Sequence, residues 1–116
     1  MGIPVALTSK RLHQGIQLII LYTALFLLPS NYANAQRTGD QLFNTYCIAC
    51  HMSGVAGAPK FGDNTDWQPR INKGIDKLLS NAINGIKAMP PRGFCMDCSD
   101  DELKIAIQYM IENSQK

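Results

Sequence analysis

Histidine is scarce in this chain: there are two, His13 and His51. No acidic residue occurs before Asp40, and no convincing strand-type alternation of apolar and polar residues occurs anywhere. Each lack excludes something. Without alternating strands the chain does not read as a sheet fold, and the βαβ setting of a thioredoxin-type redox site is missing. There is no internal repeat or low-complexity tract. Lys60, Arg70, Lys73, Lys77 and Lys87 are dispersed among acids rather than gathered in a stripe, so no nucleic-acid footprint is present.

The acid-free start carries its own pattern. Lys10 and Arg11 form a positive patch, and Ile16 to Leu28 is then apolar apart from Gln17 and Thr23. Pro29-Ser30-Asn31 breaks that run, and Ala33-Asn34-Ala35 supplies small residues in cleavage-site spacing. Together these predict a secretory signal peptide over residues 1–35, cut after Ala35. The competing reading is an uncleaved membrane anchor. The run has 13 residues, short of the roughly 20 that span a bilayer, so cleavage is favoured. Cleavage leaves residues 36–116 as one exported, soluble domain of 81 residues. The whole chain's formal charge of +2 then disappears, because losing Lys10 and Arg11 leaves nine basic against nine acidic residues.

All four cysteines, at positions 47, 50, 95 and 98, follow the predicted cut. An even count in a short exported chain implies that each thiol is occupied. In Cys47-Ile48-Ala49-Cys50-His51 the thiols stand at i and i+3 and the imidazole at i+4, on one side of a helical turn. From there both sulfurs can add to the two vinyl groups on one haem edge while the imidazole reaches the iron. The motif predicts one covalently attached c-type haem. An 81-residue domain buries a limited core and usually needs a staple; an apolar macrocycle held by two bonds would serve.

The remaining pattern is helical. Gln36 to Tyr46 reads as a short helix capped by Thr38 or Asp40, with Leu42, Phe43, Tyr46 and Cys47 on one face. Met52 to Gly62 is a Gly- and Pro-rich loop. A short helix follows, with Asp66 as N-cap and Pro69 in its first turn. Ile75, Leu78, Leu79, Ala82 and Ile83 then repeat at helical spacing, and Gly85 stands at the C′ position. Ser99-Asp100-Asp101-Glu102 is a capping box at the start of a last helix striped by Leu103, Ala106, Ile107, Met110 and Ile111. The expectation is an all-α fold of three or four short helices.

If His51 is the proximal ligand, the partner across the iron is not a second histidine, because His13 leaves with the signal peptide. The candidates are Met52, Met89, Met96 and Met110. Met52 adjoins His51, Met110 lies on the buried helix stripe, and Met96 is constrained between cysteines. Met89 immediately precedes Pro90-Pro91, a stiff strap with fixed φ. Met89 is therefore the expected sixth ligand, and a thioether there favours Fe(II). With both axial positions filled, outer-sphere electron transfer is favoured over chemistry on a bound substrate.

Cys95-Met96-Asp97-Cys98 can be read as a disulfide, a redox pair or half of a zinc site with Cys47 and Cys50. Zinc is weakened by the 44 residues between the pairs, by the helical flanks, and by the lack of a role for His51. A short-range disulfide is the plain reading in an oxidising compartment.

These residues resemble the class I monohaem cytochromes c, and within them the short bacterial c-five branch. The resemblance rests on Gly39, Phe43, Cys47-x-x-Cys50-His51, Gly57-Ala58-Pro59 and Trp67. It continues through Ala88-Met89-Pro90-Pro91-Arg92-Gly93, Cys95-x-x-Cys98 and Ala106 to Met110. It implies crossing N- and C-terminal helices, with Gly39 allowing close approach and Phe43 and Tyr109 packing nearby. It implies Met89 as distal ligand, a Cys95–Cys98 disulfide, and a Pro59 carbonyl that accepts the His51 Nδ1–H. Trp67 and Arg70 would face the haem propionates. The function expected is a periplasmic, monomeric one-electron carrier rather than an enzyme, docking weakly and transiently on redox proteins, including membrane-bound oxidoreductases. Two alternatives stand beside it: a dedicated subunit of one reductase or oxidase, and an exported non-haem zinc module.

Overall fold

The computed structural model describes residue 2, residues 11–20 and residues 35–116. The chain divides into two units, Met1–Asn34 and Ala35–Lys116. In the first, residues 11–20 are helical and exposed. The later half of the apolar run, the Pro29 break, and Ala33 and Asn34 of the predicted cleavage pattern lie outside the described residues. No helix among the described residues is long and apolar enough to cross a membrane.

The second unit is helical, and its described residues contain no strand. Helix α1 begins as Gly39–Leu42, passes through a π turn at Phe43–Cys47 and finishes as Ile48–His51. Thr38 stops it at the front: its backbone is extended, and its N–H donates to Gln41 Oε1 at 2.9 Å. The helix thus starts three residues later than the sequence suggested. The π turn inserts a residue into the helical repeat, and the expected single apolar face divides. Leu42 and Tyr46 join Cys95, Cys98, Leu103 and Ala106. Phe43 and Cys47 join Trp67, Ala82, Ile107 and Met110.

Helix α2 is Asn64–Ile71, capped by Asp63 and not by Asp66. Asp63 Oδ1 accepts the Asp66 N–H at 3.1 Å, which frees the Asp66 carboxylate for another partner. Pro69 lies in the helix interior instead of the first turn, so the carbonyl four residues back loses its usual donor. Helix α3, Ile75–Asn84, runs between Gly74 and Gly85. Gly85 has φ 80° and ψ 155°, a region open essentially to glycine. A Cβ there would also stand 2.9 Å from the Met89 carbonyl oxygen and 3.0 Å from Pro91 N. Glycine ends the helix and lets the Met89 segment lie against it.

Helix α4, Asp100–Glu112, carries the expected capping box. The Glu102 N–H donates to Ser99 Oγ at 3.1 Å, and the Ser99 N–H donates to Glu102 Oε2 at 3.0 Å. Leu103, Ala106, Ile107 and Met110 are buried on its inner face. α1 meets α4 at Gly39, where an added Cβ would lie 2.6 Å from Tyr109 Cβ. Phe43 and Tyr109 pack beside this contact with ring centres 5.8 Å apart.

Arg37 closes the same junction and had no sequence signal. Its Nε and Nη2 donate to the two Glu102 oxygens at 2.8 Å each, and Nη1 donates to Asp97 Oδ2 at 3.0 Å. This pairing, joined by the Ser99 N–H, holds the Glu102 carboxyl down at about 2.

Candidate haem site

The π turn delivers Cys47 half-buried, the following helical turn leaves Cys50 exposed, and both thiols are unbonded. His51, one residue on, is buried at 8% exposure. Its Nδ1 donates to the Pro59 carbonyl at 2.9 Å, which leaves Nε2 as the open nitrogen. Burial lowers the His51 pKa against the opposing pull of that hydrogen bond, and Arg70 lowers it further. The imidazole is thus neutral near pH 7 and able to donate a lone pair. Burial, helped by neighbouring Cys50, pushes the Cys47 thiol up to about 11.

The loop after α1 returns to the histidine through two consecutive peptides. In the first, the Pro59 carbonyl accepts from His51, and the Lys60 N–H donates to Asp66 Oδ2 at 3.1 Å. In the second, the Lys60 carbonyl accepts the Trp67 Nε1–H at 2.9 Å, and the Phe61 N–H donates to the His51 carbonyl at 2.7 Å. The Trp67 ring also stacks near His51, with centroids 6.1 Å apart. The resemblance implies Trp67 and Arg70 at the haem propionates. The structure directs the Trp67 donor to Lys60, and Arg70 donates to the Asp66 and Gly57 carbonyls.

Met89 is half-buried and packs on the cluster of Phe43, Trp67, Ala82, Ile107 and Met110 that Cys47 also touches. Its N–H donates to the Ile86 carbonyl at 2.9 Å and its carbonyl accepts from Ile86 N–H at 3.0 Å. Of Met52, Met96 and Met110, the first two are exposed and off this cluster, and Met110 is one of its fully buried members. The Cys95 and Cys98 sulfurs lie at bonding separation, with Cα atoms 5.4 Å apart, inside the first cluster beneath Leu42. Two thiols, an imidazole with one free nitrogen, and a thioether reaching the same apolar surface are a donor set that fits a covalently held haem. Half-buried Ile48, Ile71, Ile75, Leu78 and Leu79 border that surface and suit an apolar macrocycle.

Arg37 and Asp66 belong to this architecture without a local sequence signal for it. Arg37 lies 65 residues from Glu102, and nothing local marks such a pairing. By its local sequence Asp66 reads as a cap, the role that Asp63 fills.

Comparison with known proteins agrees with this geometry. The family model described as "Cytochrome C oxidase, cbb3-type, subunit III" matches residues 34–110. A cytochrome c5 of Ectopseudomonas mendocina is 53% identical over 76 residues, covering 64% of this chain and 87% of that protein. A cytochrome c-555 of Chlorobaculum tepidum is 33% identical over 96 residues, covering 79% and 89%. Among solved structures, a mono-heme ferrocytochrome c from Shewanella putrefaciens has a TM-score of 0.59 at 44% identity, covering 64% and 91%. A chain in the crystal structure of an electron transfer complex of nitrite reductase with cytochrome c has a TM-score of 0.63 at 41% identity, covering 66% and 93%.

The fold and these likenesses together define a small helical cytochrome c. The chain belongs to the monohaem class I cytochromes c, of the c5 type. It carries a single covalently bound haem c and is an electron carrier, not an enzyme. The zinc-module alternative is thereby set aside.

Proposed function

We propose that this cytochrome works in the periplasm as a free one-electron shuttle, with Cys47 and Cys50 as the haem thioethers and His51 and Met89 as axial ligands. The observation that carries the assignment is the shared surface: Cys47 and Met89 pack on one apolar cluster, and His51 keeps one ring nitrogen free beside it. Bound there, haem c supplies the Fe(III)/Fe(II) couple. The chain's residues do the rest. Pro59 fixes the imidazole tautomer so that Nε2 is the donor, and raises its basicity. Gly85 and the Pro90-Pro91 strap hold the Met89 thioether in one place, so little of the protein needs to move when the charge changes. The soft, neutral sulfur favours the reduced state. The apolar cluster excludes water from the couple.

Exposed Ala49, Val55 and Ala56, with half-buried Ile48, Ala58 and Pro59, form an apolar rim beside the cysteines. Docking on such a rim is weak, transient and only mildly salt-dependent, which suits a monomeric shuttle serving several redox proteins. The cytochrome in complex with nitrite reductase supports reductases as one class of partner. Residues 1–35 act as a signal peptide removed after Ala35, and a Cys95–Cys98 disulfide tightens the loop before α4. A dedicated subunit of one complex is the second reading, favoured by the oxidase-subunit description of the matching family; co-purification with one enzyme would select it.

Absorption spectra of the oxidised and reduced native protein, with a redox titration, test the ligand set. Met89→Ala is expected to give a five-coordinate or high-spin iron with a changed potential; an unaltered spectrum removes Met89 from the iron. The intact mass of the exported protein should start at Gln36, and a mass retaining residues 1–35 would establish the anchor.

A further inference from the structure

Asp66 has a place in this architecture that neither the helix nor the haem motif requires. Its carboxylate accepts the Lys60 N–H at 3.1 Å. That N–H belongs to the same peptide group as the Pro59 carbonyl, which accepts the His51 Nδ1–H at 2.9 Å. A peptide group is planar and delocalised, with its N–H and C=O pointing to opposite sides. Carboxylate, peptide and imidazole therefore form one continuous line of hydrogen bonds. The next peptide is gripped in parallel, its carbonyl by Trp67 Nε1 at 2.9 Å and its N–H by the His51 carbonyl at 2.7 Å. Two adjacent residues at the start of α2 thus hold, end-on, the two peptides whose far ends hold His51.

We propose that Asp66 is a positioning residue that tunes the redox couple through the Pro59–Lys60 peptide. A negative acceptor on an amide N–H polarises the amide toward its oxygen, and hydrogen bonds in series strengthen one another. The Pro59 oxygen becomes a stronger acceptor, the Nδ1–H bond carries more of the proton's charge to the peptide, and Nε2 becomes more electron-rich. Direct carboxylate–histidine–metal arrangements act in the same sense; here one peptide is interposed. A more electron-rich imidazole favours Fe(III), opposing the Met89 thioether. Trp67 holds the neighbouring peptide in register so that the line stays straight. Pro59 suits its position because it has no N–H of its own to compete for partners.

The inference rests on His51 being an axial ligand, and the experiment separates the two claims. Asp66→Asn keeps an oxygen acceptor for Lys60 N–H and removes the charge. In the haem-loaded protein it is expected to shift the Fe(III)/Fe(II) equilibrium, against a fixed reference couple, about threefold toward Fe(II). The His51 Nδ1–H NMR resonance should move with it. Asp63→Asn removes a charge from the same turn while still capping α2, so it reports the bare Coulomb effect. Asp66→Glu keeps the charge but displaces the acceptor; it should move the Nδ1–H resonance although the net charge is unchanged. If Asp66→Asn and Asp63→Asn shift the equilibrium equally, or Nδ1–H is unmoved in both Asp66 variants, the relay is refuted. If instead the His51 ring protons lack the shifts of an iron-bound imidazole in the native protein, the ligand assignment has failed.

Discussion

Replacing Gly39 by alanine should separate α1 from α4, and the size of the effect follows from three distances. An ideal Cβ at Gly39 falls 2.6 Å from Tyr109 Cβ, 2.9 Å from the Ile105 carbonyl oxygen and 3.3 Å from Ile105 Cγ2. Carbon atoms rest about 3.5–4.0 Å apart at optimal separation, so the first contact is roughly 1 Å too short. Neither Tyr109 Cβ nor a helix carbonyl can swing away, because both are fixed by the backbone of α4. The helices must therefore move apart by about that distance, loosening Phe43 against Tyr109 and stretching the Arg37–Glu102 pairing beside them. Overpacking of this kind costs about 1–3 kcal/mol. Alanine recovers part of that through helix propensity, at most about 1 kcal/mol, and less here because Gly39 is the first helical residue. A net loss of about 1–2 kcal/mol lowers the melting temperature of a domain this size by about 4–16 °C. Thermal unfolding of the haem-loaded protein by circular dichroism measures it. A Gly39→Ala melting temperature equal to or above that of the native protein would refute the close-crossing argument.

The Glu102 carboxyl, held at about 2 by Arg37 and the α4 cap, lies below its unfolded value of about 4.3. Its contribution to stability is therefore present above the unfolded pKa and lost as pH falls toward 2. The stability gap between the native protein and Glu102→Gln should be constant above about pH 5.5 and narrow between pH 4.3 and 2; denaturant unfolding across that range checks it, and a constant gap throughout contradicts it. Cys95→Ala/Cys98→Ala should lose about 2 kcal/mol from the small loop it opens while the haem absorption spectrum stays intact. Loss of haem from that variant would show that the pair does more than tighten the loop.

What the sequence made legible was whatever a local rule could carry. The CxxCH turn, the capping box at Ser99 and Glu102, the α3 stripe and the glycine after it are each written within a few neighbouring residues. Helix α2 shows where such rules stop. Asp63 and Asp66 both suit an N-cap, and only the path of the chain from Pro59 decides between them. Once Lys60 presents its N–H toward α2, Asp66 meets it and Asp63 takes the cap. The π turn in α1 is similarly invisible, because nothing in Phe43–Cys47 forbids ordinary helix.

Arg37 and Asp66 illustrate one physical point from opposite ends of the domain. Each is an unremarkable surface charge by composition, and each acquires meaning from a partner on another segment. Arg37 ties the front of α1 to the start of α4, securing the helix that carries Cys47, Cys50 and His51. Asp66 ties the start of α2 to the peptide that orients the same histidine. The helix bearing the attachment motif is thus held by charge at its beginning and, through Pro59, at its end. A motif of five residues names the haem, but its histidine is held by the Pro59 carbonyl, on a peptide whose other end is held by a carboxylate fifteen positions after that histidine. Under the proposed relay, redox tuning belongs to the packing of α2 as much as to the motif itself.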